Sequence, residues 1–146
     1  MRHWALGLLL VALAETAALA CSCVPPPSTR AEAVQAAQEV ARRAVAVVEV
    51  DVVAGYDEAR SRGEQVRVRR VLAGRAPRDF RIHRRGRPNS ASCGLELGPR
   101  QRVFLVLYPA VGGAAGEFAI QSLCTDYYLR DPAFRSLLVT QVRRRR

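Results

Sequence analysis

A chain of 146 residues, 49% hydrophobic and 25% charged, is the size of one domain with a packed core, and no internal repeat divides it. Its net charge of +10 rests wholly on arginine, since no lysine occurs. So uniform a choice reads as a coding bias, and the charge alone does not argue for a polyanionic partner, although long-range attraction to acidic surfaces follows from it.

Residues 1–20 read as a secretory signal. Met1-Arg2-His3 is short and charged, Trp4 to Ala14 is almost wholly apolar, and Ala18-Leu19-Ala20 supplies small residues at the cut. The apolar stretch is shorter than the roughly 20 residues that span a bilayer. Cleavage before Cys21 leaves 126 residues and the same net charge, because Arg2 and Glu15 leave together. A lipoprotein acylated at Cys21 is the competing reading. Ala18-Leu19-Ala20 fits it poorly, and acylation would leave three of the four cysteines in an oxidising compartment.

Cys21-Ser22-Cys23-Val24 before Pro25-Pro26-Pro27 is extended, because each proline fixes its own φ and restrains the residue before it. Thr29 stands three residues ahead of Glu32, a capping box, so a helix is predicted over 31–43 with Val34, Ala37, Val40 and Ala41 as its buried stripe. Val45 to Val53 then reads as a strand with Glu49 and Asp51 on a wet face, ended at Gly55. Residues 55–63 form a polar loop or hairpin. Val66, Val68 and Val71 among Arg67, Arg69 and Arg70 predict a second strand, and Arg78 to His83 a third.

Residues 84–92 read as a surface loop, Val103 to Tyr108 as an apolar strand ended by Pro109, and Phe118, Ile120 and Ser122 as the last strand. Asp131-Pro132 opens a short helix carrying Phe134, Leu137 and Leu138, and Arg143 to Arg146 is a frayed tail. Five short strands with an early and a late helix suggest a mainly β fold, a small five-stranded OB-type barrel, with an open sandwich as the alternative.

Four cysteines remain after cleavage: Cys21, Cys23, Cys93 and Cys124. Cys21 and Cys23 are two apart in extended chain, so a bridge between them is strained and two of the three pairings remain. Either pairing closes long loops, each worth roughly 4 kcal/mol in the chain-entropy account.

Cys21-Ser22-Cys23-Val24-Pro25 at a processed terminus resembles the start of the tissue inhibitors of metalloproteinases (TIMPs). Ser92-Cys93-Gly94-Leu95, Leu97-Gly98 and Arg102 to Val106 are similar to the centre of their inhibitory domain, and Ser122-Leu123-Cys124 to its end. The likeness covers about residues 21–130, leaving 131–146 as a short helix and basic tail; the wider group is the netrin-like (NTR) module, an OB-fold. The resemblance implies the pairing Cys21–Cys93 and Cys23–Cys124. It also implies inhibition of a zinc metalloprotease whose catalytic metal is chelated by the α-amino nitrogen and carbonyl oxygen of Cys21. Ser22 would enter the first primed-side pocket, with Cys23, Val24 and Pro25 lining the cleft. Metazoan TIMPs carry a further cysteine-rich domain and a third bridge in this one, and many NTR modules inhibit nothing. A secreted binding or assembly module is therefore the second expectation.

No phosphate loop, nucleophile elbow or metal-binding helix motif is present, so the sequence predicts no enzyme, no cofactor and no metal of its own. His83, between Ile82 and Arg84, reads as solvent-facing. Arg67, Arg69, Arg70, Arg81, Arg84, Arg85 and Arg87 are a candidate basic face for an anionic envelope polymer or lipid, with a merely solvated surface the preferred reading. Only Phe80 interleaves with them, and export argues against nucleic acid. The expected protein is a secreted or periplasmic monomer.

Overall fold

The computed structural model describes residues 23–89 and 93–145. The predicted signal, with Cys21 and Ser22, lies outside the described residues. Helix α1 (Arg30–Arg43) begins where the capping box places it: the Thr29 hydroxyl accepts from the Glu32 N–H, and the Glu32 carboxylate accepts from the Thr29 N–H. Its covered face is built of small residues, with Ala37 and Ala41 buried and Ala33, Ala36, Val40 and Ala44 against them. Val34, expected in that stripe, packs on neither core.

Five strands follow: β1 (Ala46–Ala54), β2 (Gln65–Gly74), β3 (Asp79–Ile82), β4 (Arg102–Pro109) and β5 (Glu117–Ile120). They close into a barrel in the order β1-β2-β3-β5-β4, with β4 returning to β1. Every pair is antiparallel except β3 with β5. Closure removes the sheet edges, and the open sandwich is excluded. The run Arg69-Arg70 breaks the alternation of β2 because a register shift falls there. Glu49 pairs with Arg70 and Val50 with Val68, which leaves Arg69 as the extra residue of a bulge. At the end of β2, Gly74 adopts φ +88°, and a Cβ there would lie 2.3 Å from the Val45 carbonyl oxygen. Only glycine allows β2 to approach β1 so closely.

β1 is buried on both faces. Val48, Val50 and Val52 point into the barrel with Val66, Ile82, Leu105 and Leu107, whereas Val47 points outward and is covered by helices. Those helices include α2 (Leu123–Leu129), which the sequence reading did not anticipate, and α3 (Pro132–Arg144). Ser122 is not a strand residue but the N-cap of α2, accepting from the Thr125 N–H. Asp131 and Pro132 do open α3, yet that helix continues through Arg143 and Arg144, where a frayed tail was expected. Phe134, Leu138 and Val142 bury against α1, Val47, Ala73 and Val106, so α3 completes a second core.

Leu138 is fully buried there. Leu138→Ala should lower stability by about 2–5 kcal/mol, read as a shifted midpoint in urea unfolding. A change within experimental error would mean that α3 is an appendage to the barrel.

Candidate functional site

Three of the four cysteines meet at one end of the molecule. Cys23 is bridged to Cys124 at the start of α2, 101 residues away, in keeping with an oxidising compartment. Closing so long a loop is worth about 4–5 kcal/mol in the chain-entropy account. The Leu123 N–H donates to the Cys93 carbonyl at 3.0 Å, bringing the 93–98 segment against the same turn. Cys93 takes a left-handed backbone, φ +54°, and is itself disulfide-bonded. Of the two bridges the resemblance implies, Cys23–Cys124 is present; Cys21, named for the other, lies outside the described residues, as does Ser22.

The segment from Cys23 is held at two further points, by Tyr128 and by Glu32. The Tyr128 hydroxyl donates to the Val24 carbonyl at 2.7 Å. Pro26 and Pro27 rest between two open grooves, of about 350 Å³ on the side of Tyr127 and Phe134 and about 550 Å³ on the side of Gln35 and Glu39. The Glu32 carboxylate then accepts from the Ser28 N–H, the Ser28 hydroxyl and the Thr29 N–H. These bonds, the Ser28 hydroxyl first, hold the Glu32 carboxyl below its ordinary 4.5. The result is a fixed ridge on which Val24 is 74% exposed and Pro25 is also exposed.

The connector that carries Cys93 is pinned by a buried ion pair. Glu64 is fully buried, and Arg84, with its side chain only 10% exposed, grips both its oxygens at 2.7 and 2.9 Å. The same guanidinium donates to the Leu95 carbonyl at 2.7 Å. Pro88 is buried as well, so residues 84–89 are only in part the surface loop expected. His83 is a further correction: its side chain is 19% exposed and bonds Glu117 at 2.9 Å.

The seven candidate arginines do not make one open basic face. Arg84 is inside, and Arg81 donates to the Gly63 carbonyl. Arg67 pairs with Asp79, Arg69 with Asp51, Arg70 with Glu49 and Arg87 with Glu58. Arg85 is exposed. Sequence could not foresee this, because each acid lies on another strand or loop than the arginine it meets. Among the described residues no group of three or more His, Cys, Asp or Glu side chains could hold a metal, and no helix is long and apolar enough to cross a membrane.

Comparison with protein-family models, with curated proteins and with solved structures finds no match to this chain.

Two outcomes follow from the anchors. Arg84→Met leaves the Glu64 carboxylate buried without a partner and should cost about 3–5 kcal/mol, whereas joining Glu64→Leu to it should restore much of the loss. A double variant as unstable as the single one would contradict this account. For Glu32 the folded state lowers the pKa, so its contribution is complete above the unfolded value and fades as pH falls through the folded one. Glu32→Ala should therefore destabilise by a constant amount near neutrality and by steadily less below about pH 4.5. Urea unfolding at stepped pH reads that difference, and a gap that persists unchanged into strong acid would refute the assignment.

Proposed function

We propose that the protein is exported, that the chain is cut before Cys21, and that it inhibits zinc metalloproteases in the manner of a TIMP, on a barrel of the OB type found in netrin-like modules. The observation that carries this reading is the ridge. Residues 23–27 carry no helix or strand, are exposed at Val24 and Pro25, and are fixed by the Cys23–Cys124 bridge and the Tyr128 hydroxyl. A segment already held in its bound shape loses little entropy on entering a cleft.

The chemistry asked of Cys21 is modest. A catalytic zinc keeps one position open, and a nitrogen at about 2.0–2.1 Å can fill it. An α-amino group with a pKa near 7.7–8.0 gives up its proton to the metal easily at neutral pH. Ser22 then enters the first primed-side pocket, and Cys23, Val24 and Pro25 line the cleft. The sulfur of Cys21 plays no part in the coordination, being bridged to Cys93 in this reading.

The test uses the exported protein against a panel of secreted zinc metalloproteases. Its intact mass should equal that of residues 21–146 less four hydrogens. An acyl adduct at Cys21, or a longer terminus, would end the proposal. One alanine added before Cys21 displaces the amine and should weaken inhibition by about a hundredfold, roughly 2.7 kcal/mol, without altering the fold. Tyr128→Phe frees the Val24 carbonyl and should weaken it by about threefold to tenfold. If the parent inhibits no protease of the panel, or the extended form inhibits as well as the parent, the reading that remains is a netrin-like binding module without inhibitory action.

A further inference from the structure

The charge that cancels on the expected face accumulates elsewhere. Ala46, at the start of β1, pairs with Gly74 at the end of β2 and with Leu107 near the end of β4. α1 ends just before this point, and α3 ends beside it: Arg143 donates to the Leu72 carbonyl and Arg145 to the Ala41 carbonyl. Two helix C-termini, the start of β1 and the ends of β2 and β4 thus share one pole, where α1 delivers Arg43, β2 leads into Arg75 and α3 delivers Arg143 to Arg145. Arg43, Arg75, Arg143, Arg144 and Arg145 are all exposed there. Glu39 and Glu49 neutralise only Arg42 and Arg70. Arg43, Arg75 and Arg144 carry no ion pair among the described residues.

Cations at helix C-termini complement the negative end of the macrodipole: Arg43 stands in the last turn of α1, Arg143 and Arg144 in the last turn of α3, and Arg145 donates to the Ala41 carbonyl of α1. Arg75 follows β2 and ends no helix, and neither it nor Arg43 meets a carboxylate among the described residues. Beside Arg43, at the turn after β4, stands Val111. It is 76% exposed and borders the same open groove as Arg43. A cationic pole with an apolar tip at its rim suits the face of an anionic bilayer, where arginine meets phosphate and an aliphatic side chain enters the headgroup layer. A hydrated polymer would have no use for the exposed valine.

We infer that this arginine pole docks the protein on anionic lipid surfaces through Arg43, Arg75, Arg143, Arg144, Arg145 and Val111. The inference is independent of protease inhibition.

The test is co-sedimentation of the exported protein with vesicles of phosphatidylcholine containing about one quarter phosphatidylglycerol. Binding should be absent with phosphatidylcholine alone and should fall steeply between about 0.05 and 0.5 M salt. The triple variant R43Q/R75Q/R144Q removes no bond to a backbone carbonyl and should lower partitioning by about a hundredfold, near fivefold for each arginine. The matched triple R60Q/R85Q/R87Q, at the other end of the barrel, should change it by less than about tenfold. Val111→Asp should weaken binding without moving the unfolding midpoint. Equal loss from both triples would reduce the effect to net charge and overturn the inference. So would absence of binding to the anionic vesicles. Retention on a soluble anionic polymer that matches vesicle binding, with Val111→Asp inert, would assign the pole to a polymer and overturn the lipid reading.

Discussion

The architecture depends on β1, a strand with apolar residues on both of its faces. A strand of a one-sided sheet alternates apolar and polar, but Ala46-Val47-Val48 is buried without a break. Val48, Val50 and Val52 demand a closed barrel on one side, and Val47 demands a helical cover on the other. One strand therefore joins the two cores. The three helices are placed by what its outer face requires as much as by their own propensity. Glu49 and Asp51 mark where that cover stops, since from there outward the same face meets water and arginine partners.

The ridge at Cys23 depends on this arrangement at one remove. Its anchors are short-range chemistry: a disulfide, a phenolic hydroxyl on a carbonyl, a carboxylate on two consecutive N–H groups. Each anchor belongs to a helix that the second core holds, α2 for Cys124 and Tyr128 and α1 for Glu32. The connector that brings Cys93 to the same turn is held instead from the barrel, through Glu64 and Arg84. Gln121 links the two systems. Its side chain accepts from the Val106 N–H and donates to the Phe104 carbonyl, extending the barrel ladder by one residue before the chain turns into α2.

Charge shows the same division between local and tertiary causes. Arginines that fall on strands find acids on neighbouring strands, so a basic run in sequence becomes a neutral lattice of pairs in space. Such exposed pairs contribute little to stability, but they cancel field. Arginines at chain positions 43, 75 and 143–145 are far apart in sequence and adjacent in the fold, because strand register and parallel helix ends bring them together. A basic run read along the chain cannot show such a grouping.

Much was legible from residues alone. The capping box of Thr29 and Glu32, the β-branched run of β1 and the Asp131-Pro132 start of α3 are local signals, written in neighbouring side chains and read correctly as such; the bulge at Arg69 shows only in the pairing of β2 with β1. α2 was not legible: seven residues give no full amphipathic period, and its position is set by the Cys23–Cys124 bridge and the core under Leu129. The partial burial of Arg84 and His83 and the continuation of α3 to Arg144 were likewise decided only in three dimensions, as was the choice of the expected barrel over the open sandwich. Each depends on a partner 20 or more residues away, and the free energy of such contacts lies in burial and pairing that no local pattern encodes.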